Sequence, residues 1–435
     1  MNFFEKYDWA ALKVQGSGSL RRDGNLPGAA SAHGADFTGK AAPASEDDVR
    51  EKIISQYHNI LCPQKDYPAF IDKYIALPIM QRLSGIGLLC GSDWTKLFNN
   101  RFYYSRLDHS KGVALIIWHF THDRAQTIAG LLHDISTPVF SHVSDFRKGD
   151  ALTQTATEAP TAQMIRKDAE LMNLLAEDGL TAEQVEDYHI YPVADNEIPQ
   201  LSADRLEYMF PSGMALNDCW TMEEIHKVYD DLEVLSGENG VAELGFKTVE
   251  TAELYCEKFC MIGHILQLNE DKLTLQMLGE IMNLAERLGV LSEDDFMTLS
   301  ESQVIAKLEE FCKAQGGVTS RDEKIKLCRL YKTFRQMTKI EHTKQALPED
   351  QYFCVNLKVK QRFINPLVIS TGSITAGGSA GSITAGGNGR TRGTGSEANC
   401  TAKGVRLSQV SQKSAKIIED FKKFSDTPYG CVKLI

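Results

Sequence analysis

Residues 128–146 read IAGLLHDISTPVFSHVSDF, an apolar helical stripe that ends on a His-Asp pair and then meets a proline. Ile128, Leu131 and Leu132 recur at helical spacing, so the run from about Arg124 to Asp134 is expected to be a helix. His133 and Asp134 close it, and Pro138 belongs to the turn beyond. Neighbouring residues on a helix point about 100° apart, so the two side chains can approach one ion from adjacent directions. Upstream, SRLDHSKGVALI (105–116) opens a second helix. Val113, Ile116, Ile117 and Phe120 form its stripe and His109 sits near its start. Downstream, LSADRLEYMF (201–210) carries Asp204. His109, His133, Asp134 and Asp204 together offer two imidazoles and two carboxylates, a donor set suited to a divalent cation. They must converge from separate helices, as bundles build metal sites.

A second His-Asp pair, His122-Asp123, competes with the first. Asp123 stands directly before Arg124, Ala125 and Gln126, where its carboxylate is better used on the free N–H groups of a starting helix. His226 and His264 fall in apolar-periodic segments and are expected to be packed or surface residues. Cys256 and Cys260, four apart in a helical pattern, are expected to pack.

At 435 residues the chain can form one large or two modest domains with ample core. A net charge of −11 advertises no nucleic-acid or anionic-membrane surface, though a local basic pocket for phosphates is compatible with it. The opening MNFFEKYDWAALKV is acidic within eight residues, and no run approaches the ~20 apolar residues of a spanning helix. No membrane association is expected. The ten cysteines include no CxxC pair, so scattered thiols and a cytoplasmic location are expected.

Residues 1–46 form an N-terminal extension whose 15–46 stretch is rich in Gly, Ala, Ser and Pro and is expected to be flexible. From 47 to 345 the pattern is helical. Thr221 and Glu224 form a capping box opening a helix over 222–235, 246–289 carries helical periodicity, and Glu323–Met337 continues it. From 346 to 435 the character changes to α/β, with strands expected at 354–360, 366–370 and 405–411 and a helix at 412–424. Residues 371–403 contain GSITAGG twice and are expected to be a disordered insertion in a hairpin connection. Neither copy is followed by the Lys-Ser/Thr of a phosphate loop. The fold class expected is mainly α, a helical bundle with a smaller C-terminal α/β extension.

With these words in place, the chain resembles the HD-domain metal-dependent phosphohydrolases, most closely their deoxynucleoside triphosphate triphosphohydrolase branch. The likeness covers about 79–210, with a weaker echo at 353–424. MQRLSGIGLL (80–89) is similar to the family's FQRL segment and SRLDHSKGV (105–113) to its RFEHSLGV. LLHDISTPVFSHVSDF (131–146) is similar to LLHDxGHxPFSH, and ADRLEY (203–208) to the word carrying the last metal ligand. NPLV (365–368) and VRLSQVS (405–411) look like a family strand pair.

The resemblance implies an HD-domain bundle and one divalent ion on His109, His133, Asp134 and Asp204. That ion would be Mn, Fe, Mg, Zn, Co or Ni, a choice that mixed N/O ligation leaves open. It implies a phosphate contact for Arg106, with Lys111 and Arg205 as supporting cations and Tyr208 facing the nucleotide. His142 and Asp145 match a pair near the reacting phosphate, suited to carrying or orienting protons.

Two positions depart from the family. Thr137 stands where HDxGH has its second His, and Thr157-Glu158 where the next helix has His-Glu. Threonine is no acid or base near neutral pH, which leaves His142 or Glu158 to manage protons. The implied function is hydrolysis of (deoxy)nucleoside phosphates. Alternatives are a nucleotidase or phosphodiesterase on monophosphates or cyclic nucleotides, and a non-catalytic metal- and nucleotide-binding sensor. The expected partner is a nucleotide or other phosphorylated small molecule, with homo-oligomerisation left open.

Overall fold

The computed structural model describes residues 46–98, 100–152, 160–314, 321–369 and 402–435. Helices dominate these segments. Helix α1 spans Glu46–Leu61 and α2 spans Arg106–Thr121. A capping box starts α2: Ser105 Oγ accepts from the Asp108 N–H at 3.1 Å and the Asp108 carboxylate accepts from the Ser105 N–H at 3.0 Å. The helix ends at His122, whose φ of 51° turns the chain back. Asp123 then caps α3, Arg124–Leu132, by accepting from the Gln126 N–H at 3.1 Å. The His122-Asp123 pair is thus a helix stop and a helix start, as expected. Helices α2 and α3 lie close because Gly130 faces Ile117; a methyl group added there would lie 2.2 Å from Ile117 Cδ1.

Helix α4 covers Val143–Arg147 and α5 covers Ala203–Leu216. Helix α6 opens with the Thr221–Glu224 capping box but spans only Met222–Asp230, not the 222–235 expected. Leu232–Ser236 instead forms strand β1, paired antiparallel with β2, Ala242–Phe246. The LEVLS run finds a sheet partner, and tertiary pairing overrides helical continuation. The 246–289 periodicity resolves into α7, Val249–Ile265, and α8, Asn269–Arg287. Helices α9, Glu301–Lys313, and α10, Arg321–Gln336, follow.

Beyond them lie β3 (Glu341–Thr343), β4 (Tyr352–Val355), β5 (Leu367–Ile369), β6 (Ala402–Arg406), α11 (Gln412–Lys423) and β7 (Tyr429–Lys433). The strand expected at 354–360 therefore ends at Val355, and residues 356–366 run on without regular structure. The extended piece expected at 405–411 stops at Arg406 and becomes a short helix, Leu407–Val410. Strands β5 and β6 pair antiparallel, as a hairpin requires. The expected insertion 371–403 lies outside the described residues except for Ala402 and Lys403, which belong to β6. The 15–46 segment is also outside them but for Glu46.

Strands β1, β2, β5 and β6 close into a four-stranded barrel. Arg406 on β6 clamps Glu243 on β2 with two bonds, at 2.7 and 2.9 Å. Glu243 also accepts from the Leu201 N–H at 3.1 Å, two residues ahead of α5. The barrel thereby anchors the helix that bears Asp204. The other sheet has the order β3-β7-β4.

Disulfides join Cys354 to Cys431, across the β4–β7 pair, and Cys312 to Cys328, between α9 and α10. The expectation of unpaired thiols is thus corrected for four cysteines, and the compartment argument built on it falls away. Cys256 and Cys260 are buried and packed. Among the described residues, no helix is long and apolar enough to cross a membrane. One apolar core gathers α1, α2, α3, α5 and α7. A second gathers α4, α8, α9 and α10.

Candidate metal centre

A cavity of about 570 Å³ opens between the two cores, with Leu88 from one and Phe146 and Leu275 from the other in its walls. Such apolar clefts with a few converging polar groups are the usual ligand sites. Here the polar groups include His109, His133, Asp134 and Asp204.

The four come from α2, the end of α3 and α5; His109, His133 and Asp204 close on one point, and Asp134 stands beside the two imidazoles. His109 Nε2 lies 3.2 Å from His133 Nε2 and 3.1 Å from Asp204 Oδ1. His133 Nε2 is 3.8 Å from the same Asp204 oxygen. Asp134 Oδ2 lies 3.8 and 3.7 Å from the two imidazole nitrogens. Ligands held about 2.0–2.2 Å from a metal ion sit roughly 3.0–3.5 Å apart when adjacent, so this spacing fits a cation at the centre.

The outward atoms are also held. His133 Nδ1 donates to the Gly130 carbonyl at 2.7 Å, and His109 Nδ1 meets Glu207 Oε2 at 2.5 Å. Both bonds direct the Nε2 lone pairs inward, the arrangement that fixes ring orientation in metal sites. Glu207, fully buried, is held in turn by the Tyr104 hydroxyl at 2.6 Å. It needs the room that Gly112 leaves, since a Cβ at 112 would lie 2.3 Å from Glu207 Oε1.

The electrostatics call for a cation. Burial disfavours charge on His109, yet Glu207 and Asp204 outweigh it and push the imidazole up to about 10. Burial likewise opposes ionisation of Asp204, but hydrogen bonding to His109 and the two nearby imidazoles bring it down to about 2. Asp134 is held far below the usual carboxylate range, chiefly by Arg106 against the cost of burial. The Arg106 guanidinium and the protonated His109 stand against these carboxylates, and a divalent ion would take the place of the His109 proton.

Of the residues expected beside the metal, Arg106 lines the cavity. Its Nη1 binds Asp134 Oδ2 at 2.8 Å and its Nε binds Ser141 Oγ at 3.0 Å. It therefore orients a ligand, while its Nη2 makes no hydrogen bond among the described residues. His142 also faces the cavity, with Nδ1 on Asp145 at 3.0 Å. Phe140 (φ 60°) and Ser141 (φ 52°) turn the chain sharply just before it. Two consecutive left-handed residues cost about 1–3 kcal/mol each, and clustering of such residues marks functional turns. Burial lowers the His142 imidazole, and Asp145 opposes that only in part.

Tyr208 lines the cavity, its hydroxyl raised to about 12 by burial. Arg205 lines it too, but its guanidinium is committed to the 195–200 loop through Asp195, the Asn196 side chain and the carbonyls of Asn196 and Gln200. Lys111 stands elsewhere: it sits about 200° round the helix from His109, and its ammonium stacks 5.3 Å from the Tyr67 ring centroid. It does not line the cavity, which corrects its expected role. Glu158 and Thr157 lie outside the described residues. Thr137 donates to Asp134 Oδ1 at 2.7 Å.

Sequence reasoning assigned no site role to Glu207, although it follows Asp204 by three residues on one helical face.

No family model matches the chain. It is 29% identical over 153 residues to the metal-dependent phosphohydrolase cns2 of Cordyceps militaris, a match spanning 35% of this chain and 43% of that one. The uncharacterized protein YdhJ of Bacillus subtilis is 24% identical over 317 residues, 71% of this chain and 87% of that one. Among solved structures, a hypothetical protein from Aquifex aeolicus superposes with a TM-score of 0.52 at 14% identity, covering 85% of this chain and 92% of that one. The chain thus shares a fold with the Aquifex protein.

Proposed function

We propose that this chain is an HD-type metal-dependent phosphohydrolase acting on phosphorylated nucleosides. The observation that carries the proposal is the convergence of His109, His133, Asp134 and Asp204 within 3.1–3.8 Å contacts at the wall of a ligand-sized cavity. The name borne by the Cordyceps relative supports it. Bound there, a divalent ion supplies a water ionised near neutral pH and neutralises charge developing on phosphorus.

The protein's own groups divide the remaining work. Arg106 Nη2 is placed to hold a phosphate oxygen while Nη1 keeps Asp134 in place. The Asp145 carboxylate accepts from His142 Nδ1–H, which leaves the Nε2 lone pair facing the cavity as a proton acceptor. The Tyr208 hydroxyl stays protonated and serves as a donor to substrate.

Thr137 favours monophosphates within this class. Its hydroxyl is spent on Asp134, so the position supplies neither a proton nor a second imidazole for a longer phosphate chain. The test is a panel of dNTPs, nucleoside monophosphates and cyclic dinucleotides with Mn²⁺ or Mg²⁺. Inorganic phosphate from monophosphates is expected. Released triphosphate would place the chain with the triphosphohydrolases instead. Binding without turnover under either metal would make it a sensor.

A further inference from the structure

The cavity wall contributed by residues 266–275 and 356–366 takes no part in the metal centre. It carries Asp271, Gln267, Lys360 and Arg362, with Leu266, Leu275 and Val359 supplying apolar surface between them. The Gln267 amide donates to the Lys360 carbonyl at 3.0 Å and so fixes the irregular segment against the turn that leads into α8. Asp271 differs from every other carboxylate that lines this cavity on α5 or α8. Asp204 contacts His109, whereas the Asp271 side chain makes no hydrogen bond or ion pair among the described residues. Burial pushes its carboxyl up to about 7, against the opposing pull of Lys272 and Arg362.

An unpartnered carboxylate in a half-buried wall is costly unless something supplies hydrogen bonds to it. On the proposed reading the phosphate lies at the metal centre beside Arg106, which leaves this wall to the rest of the ligand. We infer that Asp271 is a specificity residue that accepts hydrogen bonds from a donor group on the non-phosphate part of the ligand. This inference rests on the proposed nucleotide reading. Two parts of a nucleotide carry such donors: the ribose hydroxyls and an exocyclic amine of the base. A carboxylate rewards either, and rejects an analogue that lacks it because the acceptor is then desolvated without a partner. Arg362 and Lys360, placed on the same segment, keep the wall from becoming net negative. The apolar residues between suit the flat face of a ring.

The test uses full-length protein loaded with Mn²⁺ and three ligands: adenosine 5′-monophosphate, its 2′,3′-dideoxy form and inosine 5′-monophosphate. Affinities are measured by calorimetry for the wild type and for Asp271→Asn, an isosteric change. Adenosine monophosphate is expected to bind the variant about tenfold more weakly or worse. One analogue should bind the wild type weakly and be indifferent to the substitution. If that is the dideoxy form, the ribose is the donor; if inosine monophosphate, the amine is. Because the readout is a ratio of ligands on one sample, partial misfolding of the variant does not imitate it. An adenosine monophosphate affinity within twofold of wild type, or no binding by any of the three, overturns the inference. Phosphate release is followed on the same samples. Asp271-dependent binding without release keeps the inference and sinks the hydrolase proposal, and release with unaltered affinity does the reverse.

Discussion

Two groups of three His and carboxylate side chains close enough to share an ion occur among the described residues, and they are built for different ends. In the first, His133 has Nδ1 on the Gly130 carbonyl and Nε2 turned inward, His109 meets Glu207 at 2.5 Å on one side and Asp204 at 3.1 Å on the other, and both rings line the cavity. In the second, His342 spends both nitrogens at once, Nε2 toward Glu270 at 3.5 Å and Nδ1 toward Asp426 at 3.3 Å. Asp426 is already occupied by the backbone N–H groups of Asn269 and Thr427, at 2.8 and 2.6 Å. The second cluster is a protonated imidazole bridging two acids, a clasp between α8, β3 and the loop before β7. What separates a cation site from a clasp here is therefore the second imidazole, His133, and the open cavity beside it.

Four substitutions test this contrast, in order of expected effect on metal binding. Asp134→Ala should abolish both metal content and hydrolysis; stoichiometric metal by elemental analysis in that variant would dissolve the contrast. Glu207→Gln exchanges the charged acceptor that orients His109 for a neutral amide, and a fall of about 10–100-fold in metal affinity is expected, read by chelator competition. Thr137→Val deletes one hydrogen bond to Asp134, worth about 1 kcal/mol, hence roughly a fivefold loss by the same measurement.

His342→Ala should leave metal content unchanged and instead alter stability with pH. The wild-type imidazole is pushed up to about 10, first by its hydrogen bond to Asp426 and then by Glu270, against the opposing effect of burial. A raised folded value means the contribution is fully present below about 6.5 and is lost as pH rises through 10. The wild type should melt higher than the variant at pH 6, and the two should converge at pH 10.5. A constant gap across that range would show that His342 is not a charged clasp.

How much of this was legible beforehand follows from distance along the chain. The helices around 105–134 and the cap at Asp123 rest on local words and stand where those words put them, and the four proposed metal ligands rest on the same words. Glu207 escaped because its partner His109 lies 98 residues away, although its spacing from Asp204 was visible. Lys111 was placed by proximity in sequence, where the helical angle sends it to Tyr67. Strand β1 could not be foreseen because one partner, β6, begins at Ala402. The disulfides join cysteines 16 and 77 residues apart, spacings that carry no motif.

The fit between Gly112 and the Glu207 carboxylate restricts the order in which this protein can change. Any side chain at 112 collides with the acid, so Gly112→Ala is expected to be tolerated only after position 207 has shrunk, for example to alanine or glycine. Mutational histories that begin at 112 are closed, while those that begin at 207 pass through a form with a loosened His109. The two positions, on different helices, therefore form a one-way gate in sequence space around the metal centre.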